Sequence, residues 1–249
     1  RVTKDNPMAH ITMANAFLES NLPDQALLEC QKALQLKPDM ADPYDYVGRI
    51  LTSLGRPAEA LDYFRAAVKL KPESPTFHDS LGIASVELKR FDEAKAEFSA
   101  ALKEDPQYAP AHYQMGRVLL KQGNGELAVL QFRDALRLNP HSLQMLIYVA
   151  RVLAADENPK VRNGTEACEL ALRAVRLPGG NQSSVLDTLA AAYAETGNFA
   201  DAVKAQQQAI KLLGADGSQD ERAAMQERLE LYQKNQPWRE SFRATPDKN

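Results

Sequence analysis

The sequence is poor in cysteine and in aromatic residues, and it has no long hydrophobic run. Its 249 residues include 2 cysteines, and aromatic residues make up 7% of the total. Cys30 and Cys168 lie among apolar residues on predicted helices, so we interpret both as small buried hydrophobic side chains and not as a disulfide. A chain without disulfides is compatible with a reducing compartment. Neither a run of about 18 apolar residues nor a signal-peptide pattern is present, so the sequence predicts no membrane-spanning helix.

The sequence also lacks the charge and the motifs of several functional classes. Its net charge of -3 argues against a nucleic-acid surface, which is normally basic. The serine-hydrolase, phosphate-loop, zinc-protease and paired-cysteine motifs are all absent. His10, His78 and His112 recur at one position of a repeating pattern, and helices packed about 10 Å apart would hold them too far from one another to share a metal. The sequence therefore predicts no catalytic residue, no metal site and no cofactor.

The sequence does contain a pattern that recurs every 34 residues. A proline and two alanines keep the same phase through four consecutive units, and a phenylalanine does so through three of them. The residues are Pro38, Pro72, Pro106 and Pro140; Ala26, Ala60, Ala94 and Ala128; Ala33, Ala67, Ala101 and Ala135; and Phe64, Phe98 and Phe132. The alanines let two helices approach closely, and the phenylalanines fill the space between layers. A fixed period of this length predicts stacked helix–turn–helix units.

The turn inside each unit is marked by residues that tolerate a left-handed backbone. Gly55, Gly123 and Gly197 are predicted to end first helices, and Asn21 takes this place in the first unit. Lys89 occupies the matching position in the third repeat of the pattern, where its Cβ makes the left-handed conformation unfavourable. These positions mark the boundary between the two helices of each unit.

Units of this kind resemble the tetratricopeptide repeat. The clearest stretch is residues 41–74, which carries the family's pattern at Tyr44, Val47, Gly48, Leu51, Ala60, Phe64, Ala67 and Pro72. The resemblance implies an all-α fold. It would be a right-handed superhelical α-solenoid of about six helix–turn–helix repeats, closed by a C-terminal capping helix.

On this pattern the chain divides into a lead-in, six repeats, a cap and a flexible tail. The predicted ranges are 1–6 for the lead-in; about 7–40, 41–74, 75–108, 109–142, 143–181 and 183–216 for the repeats; 217–235 for the cap; and 236–249 for the tail. The fifth repeat has five extra residues between its helices, within 155–164. Gln206 replaces the usual phenylalanine in the sixth repeat, where we expect thinner packing. Trp238 is expected to fold back onto the last repeats.

In this family the first helix of each repeat lines a concave groove, and the resemblance carries that role to particular residues of this chain. The predicted partner-binding residues are Asn15, Asp45, Tyr46, Arg49, Tyr113, Gln114, Arg117, Tyr148 and Arg151. The same mapping places Asp79, Asp187 and Glu195 in the groove. Arginine and tyrosine are favoured at interaction surfaces, although isolated surface arginines are also common. Of the residues with which family members clamp the acidic tails of chaperones, only Asn15 is matched, so this binding mode is not predicted.

The sequence thus predicts a non-catalytic scaffold that binds a protein, an extended peptide or an acidic segment in its groove. One alternative comes from residues 163–171, 186–193, 228–234 and 237–240, which are similar to the end of certain bacterial repeat proteins, and from residues 1–10, which are similar to the junction into such an end. In those proteins the repeats form the soluble tail of a membrane-embedded, glycosyltransferase-like protein that would position substrates or partners. The chain begins at Arg1 and not at Met, which fits a piece of a longer or processed protein, either cytoplasmic or tethered to a bacterial membrane. Self-association through the groove is another alternative.

Overall fold

A computed structural model describes residues 6–214 and 217–244. Within these ranges the chain forms thirteen α-helices and no named β-strand. The helices are α1 (Pro7–Glu19), α2 (Pro23–Leu36), α3 (Ala41–Ser53), α4 (Pro57–Leu70), α5 (Pro75–Glu87), α6 (Phe91–Glu104), α7 (Ala109–Lys121), α8 (Gly125–Leu138), α9 (Leu143–Ala155), α10 (Gly164–Arg176), α11 (Ser183–Glu195), α12 (Phe199–Leu213) and α13 (Gln219–Gln233). The predicted all-α class is confirmed. Among these helices none is both long enough and apolar enough to cross a membrane.

Each predicted repeat contains two consecutive helices. On a larger scale the chain divides into two compact units, which we call the first unit and the second unit from here on. The first unit ends at Val118 and the second begins at Leu119, inside α7. In the first unit α1 to α6 pack in chain order, and the first helices of successive repeats, α1, α3 and α5, also contact one another. In the second unit α8 to α13 pack in the same way, and α9 contacts α11. Each unit therefore presents a row of first helices, as expected of a solenoid of helical repeats.

A buried phenylalanine lies against a glycine in two repeats of the first unit. A Cβ atom added at Gly48 would lie 2.6 Å from Cε1 of Phe64, and one added at Gly82 would lie 2.5 Å from Cε1 of Phe98. The two rings are only 2% and 0% exposed, so they have no room to move away. The missing side chain on the first helix therefore sets how closely the second helix approaches.

The turns between paired helices have the left-handed backbone predicted from the sequence. Positive φ angles occur at Asn21, Gly55, Gly123 and Gly197. Lys89 also adopts this conformation, with φ of 58°, although a side chain makes it unfavourable. The amide of Arg90 donates to the carbonyl of Ser85 at 2.8 Å, and this hydrogen bond closes the end of α5 around Lys89.

The packing around Gln206 in the sixth repeat differs from the thinner packing that we expected. Gln206 is fully buried, and its Nε2 donates to Asp187 Oδ1 at 2.8 Å and to the carbonyl of Met225 at 3.1 Å. Asp187 Oδ1 also accepts a hydrogen bond from Arg228 Nε at 2.8 Å. A buried polar network therefore takes the place of the aromatic ring. Its hydrogen bonds offset part of the cost of burying the amide and the carboxylate, although Gln206 Oε1 has no hydrogen-bond partner among the described residues.

Helix α13 covers the apolar face of the last pair. Its Met225 and Tyr232 are 2% and 0% exposed, and Tyr232 packs in one cluster with Ala190 and Ala202. A stack of repeats needs such a cover because its final layer has no following repeat.

The contact between Gly82 and Phe98 generates a stability prediction. We expect Gly82→Ala to lower the free energy of unfolding by about 1–2 kcal/mol, because the clash with the buried ring outweighs the gain in helix propensity. Chemical denaturation followed by circular dichroism measures the change. Phe98→Leu removes the ring edge, so the double variant should be less destabilised than the sum of the two single variants. Strict additivity would contradict the proposed steric contact.

Candidate functional site

The predicted groove residues of the first unit lie on α1, α3 and α7 and form short contacts within their own helices. The guanidinium carbon of Arg49 lies 5.3 Å from the ring centroid of Tyr46, and that of Arg117 lies 5.8 Å from the ring centroid of Tyr113. Two further residues, Asn15 and Gln114, bond one turn along their helices, to Glu19 at 2.9 Å and to Arg117 at 2.9 Å. The two arginines thus lie over aromatic faces, where cation–π attraction orders them.

A cavity lined by α3 and α5 lies on this row of first helices. Its volume is about 550 Å³. Its lining residues are Asp45, Arg49, Thr52, Ser53, Phe64, Thr76, Asp79, Ser80, Ile83 and Glu87, and we call this cavity the acidic pocket. Asp45 and Asp79 are only 4% and 8% exposed, whereas Arg49 and Glu87 are exposed at the rim. The pocket thus combines two buried carboxyl groups with an open edge.

Burial dominates the electrostatics of the acidic pocket. It raises the pKa of Asp79 to about 7, and the nearby Asp45 carboxyl adds to the rise. Burial also raises the pKa of Asp45, although a hydrogen bond from Ser80 and the positive charge of Arg49 offset part of this effect. Oδ1 of each aspartate is buried without a hydrogen-bond partner in the described part of the chain. Such unpaired buried acceptors are costly and rare in folded proteins.

The repeat position that Asp45 and Asp79 occupy in the first unit is occupied in the second unit by an aspartate that has a cationic partner. Asp45, Asp79 and Asp187 are each the fifth residue of their first helix, in α3, α5 and α11 respectively. Asp187 is 6% exposed, and its carboxylate pairs with the Arg228 guanidinium at 2.8 Å. The sequence mapping named Asp187 and Asp79 as groove residues but did not identify this shared position as a carboxylate site.

In the second unit the row of first helices is covered by the chain itself. Residues 236–244, which we call the C-terminal segment, run over α9 and α11. Trp238 lies between two arginines, with its ring centroid 5.1 Å from Cζ of Arg151 and 4.9 Å from Cζ of Arg228. It also packs on the apolar cluster that contains Tyr232. The expectation that Trp238 folds back onto the last repeats agrees with this position.

Charged and aromatic side chains of the C-terminal segment anchor it to the first helices. Arg151 donates from Nε and Nη2 to the two carboxylate oxygens of Glu240 at 2.8 and 3.1 Å. Arg239 pairs with Glu195 at 2.7 Å. Phe242 is 7% exposed and lies edge-on to Tyr148, with centroids 6.2 Å apart. Two of the predicted groove residues, Tyr148 and Arg151, therefore contact the chain's own extended segment.

Backbone hydrogen bonds join the C-terminal segment to the end of α9 and the long loop that follows. The Glu240 amide donates to the Ala155 carbonyl at 2.8 Å, and the Glu157 amide donates to the Glu240 carbonyl at 3.1 Å. These bonds form an isolated parallel bridge between Asp156 and Glu240. Arg162 braces the loop by donating to the carbonyl of Asp156 at 2.8 Å. The extra residues of the fifth repeat thus supply the backbone with which the segment pairs.

This contact was missing from the sequence-based division of the chain. That division placed residues 236–249 in a flexible tail, whereas residues 236–244 pack on helices; residues 245–249 lie outside the described ranges. The alternation of Trp238, Glu240 and Phe242 was the available signal, since alternate residues of an extended chain point to the same side.

Two of the histidines pair with a glutamate inside their own repeats. His10 and His78 pair through Nδ1 with Glu29 and Glu97 of the following helix, at 2.5 and 2.7 Å. In the described ranges, no group of three or more His, Cys, Asp or Glu residues is placed to hold a metal ion.

Comparison with known protein families supports one assignment. Models of the tetratricopeptide repeat family match residues 11–75, 48–109, 85–146 and 183–214, which together span more than half of the chain. No curated protein matches the chain.

Several solved structures share the fold. The chain is 21% identical to PilF of Pseudomonas aeruginosa, with a TM-score of 0.73 over 89% of this chain and 96% of that one. PilW, described as a widely conserved type IV pilus biogenesis factor, is 21% identical, with a TM-score of 0.72 over 88% of this chain and 98% of that one. A tetratricopeptide repeat protein of Parabacteroides merdae is 16% identical, with a TM-score of 0.66 over 92% of this chain and 87% of that one. Identities this low establish the fold alone.

The raised pKa of Asp79 generates a pH prediction. The folded state holds the Asp79 proton more tightly than the unfolded chain, whose aspartate pKa is near the ordinary 3.8. The stability from this proton is therefore complete below that value and is lost as the pH rises through about 7. At pH 8 we expect Asp79→Asn to be more stable than the parent by roughly 1–3 kcal/mol, with the difference vanishing in acid.

Denaturant titrations from pH 4 to pH 8 measure this difference. Asp62→Asn is the matched control, because the Asp62 side chain is 85% exposed and should not change the pH dependence. Parallel stability curves for the parent and Asp79→Asn would contradict the prediction.

The pairing of Arg151 with Glu240 generates a fluorescence prediction. Trp238 is the only tryptophan, so its emission reports the position of the C-terminal segment. Glu240→Gln should shift this emission to the red and increase acrylamide quenching, because loss of the charge-assisted pair costs roughly 1–2 kcal/mol of docking free energy. Glu227→Gln, at an exposed position of α13, is the control. Unchanged emission from Glu240→Gln would show that the pair does not hold the segment.

Proposed function

Because the chain belongs to the tetratricopeptide repeat family, whose members bind proteins or peptides, we propose that it is a non-catalytic interaction scaffold. Its first unit binds an extended segment of a partner protein along the row of α1, α3 and α5. The second unit's row carries the C-terminal segment of the same chain.

The observation that supports this proposal most directly is the seating of the C-terminal segment. An extended stretch of polypeptide is held on the first helices by backbone hydrogen bonds at Glu240 and by side-chain anchors at Trp238 and Phe242. Backbone bonds of this kind give affinity for an extended chain, and the anchoring side chains give specificity. The same surface of the repeats in the first unit is thus a suitable place for an external segment.

The first unit offers a matching set of features. The acidic pocket is a concave site within the usual volume range of ligand sites, and its rim residues Arg49, Thr76 and Glu87 are exposed. Tyr46 and Arg49 stand beside it, and tyrosine and arginine are common among residues that dominate binding energy. A peptide lying across α3 and α5 would meet apolar, aromatic and charged groups in turn.

Selection of random octapeptides displayed on phage against the immobilised 249-residue chain tests this proposal. We expect selected peptides to bind with micromolar affinity. Tyr46→Ala and Arg49→Glu should each weaken binding by about tenfold, as expected for contact residues of an interface. Arg65→Glu on α4, away from the row of first helices, is the charge-matched control. Failure to select any peptide, or equal binding by Tyr46→Ala and the parent, would contradict the proposal.

A further inference from the structure

We propose that the acidic pocket is a subsite for one basic side chain, an arginine or a lysine, of the segment bound by the first unit. The inference rests on the proposed function and adds to it the chemistry of the partner. It concerns Asp45 and Asp79, which share the pocket and act together on the cation.

The first step of the argument is the state of the two carboxyl groups. Asp45 and Asp79 are more than nine-tenths buried and both line the cavity. Oδ1 of each lacks a hydrogen-bond partner in the described residues. A buried carboxylate oxygen without a partner is unfavourable, and an entering cation with several N–H donors would relieve this cost for both Oδ1 atoms.

The second step is the pairing seen at the same repeat position in the other unit. Asp187, the fifth residue of α11, is buried to a similar degree and is paired with the guanidinium of Arg228 at 2.8 Å. That cation comes from α13, a helix of this chain. Asp45 and Asp79 occupy the fifth positions of α3 and α5, and an external basic side chain would take the place that Arg228 takes at Asp187.

The third step is the charge around the pocket. Arg49 is the basic residue among those lining it, and its guanidinium lies over the ring of Tyr46. Glu87 adds a carboxylate at the rim, and Asp42 adds a further negative charge near Asp45. Tyr108, beside Asp79, adds no charge near neutral pH, because burial raises the pKa of its phenol further. Acidic groups therefore outnumber basic ones, and the local potential favours a cation.

The fourth step is shape. The volume of about 550 Å³ is ample for a long side chain. Phe64 and Ile83 supply apolar walls, and Thr52 and Ser80 supply hydroxyl groups. Arginine and lysine have this dual character, because an aliphatic stem carries the charged head group.

Proton linkage supports the same ligand class. Because burial and Asp45 raise the pKa of Asp79 to about 7, much of Asp79 carries a proton near neutral pH. A bound cation would favour the ionised carboxylate and release this proton. Affinity should therefore rise by up to about tenfold between pH 6 and pH 8.

Titration of the 249-residue chain with N-acetyl-arginine amide, followed by NMR, tests the subsite directly. We expect saturable shifts of backbone amides in α3 and α5, and no such shifts with N-acetyl-citrulline amide, the neutral analogue. Asp45→Asn and Asp79→Asn should each weaken binding by about tenfold, and Asp62→Asn should bind like the parent. Retention of the native amide spectrum in each variant separates lost binding from lost folding. Equal shifts with the citrulline probe, or unchanged affinity in both pocket variants, would overturn the inference.

The phage-selected octapeptides separate this inference from the function on which it rests. Enrichment of one arginine or lysine position that disappears with Asp79→Asn supports both. Peptides that bind without any basic preference would overturn the subsite and leave the scaffold function standing. Arginine-amide binding at the pocket without any selected peptide would support the cation subsite and count against the extended-peptide function.

Discussion

The close contact between a glycine on the first helix and a phenylalanine on the second is the constraint on which the second and third repeats depend. At Gly82 a single added carbon would lie 2.5 Å from the Phe98 ring, so the distance between the two helices is set by the absence of a side chain. Once that distance is set, other features of the repeat follow. Within each unit first helices contact first helices, so residues from successive repeats of that unit lie side by side.

The fifth position of the first helix holds a buried aspartate in three repeats, and the hydrogen-bond partners of this aspartate differ from one repeat to another. In the sixth repeat the position holds Asp187, which is paired with Arg228 and with Gln206. In the second and third repeats it holds Asp45 and Asp79, whose buried Oδ1 atoms have no partner in the described chain. The same residue type at the same position thus has hydrogen-bond partners in the sixth repeat, but keeps one unpaired carboxylate oxygen in the second and third repeats. That difference, and not the presence of acidic residues, points to a ligand at the acidic pocket.

In the second unit the C-terminal segment of the same chain already lies on the first helices. Arg151, predicted as a contact for an external acidic segment, instead pairs with Glu240 of its own chain. Arg151 therefore does pair with an acidic group, but that group belongs to the same chain. The long loop after α9 contributes to the same contact, because its backbone at Glu157 bonds to the segment. In the first unit, the acidic pocket keeps an exposed rim at Arg49 and Glu87.

The sequence by itself determined the all-α class, the pairing of helices and the left-handed turns at Asn21, Gly55, Gly123 and Gly197. These features are local: a period, a small residue, or a φ angle is encoded within a few dozen neighbouring residues. The tertiary structure alone decided which of the predicted groove residues are covered and which polar atoms lack partners. Glu240 lies 89 residues from Arg151, and Arg228 lies 41 residues from Asp187, so neither pair leaves a periodic signal. Whether a carboxylate is satisfied depends on burial and on distant partners, and both exist only once the helices have packed.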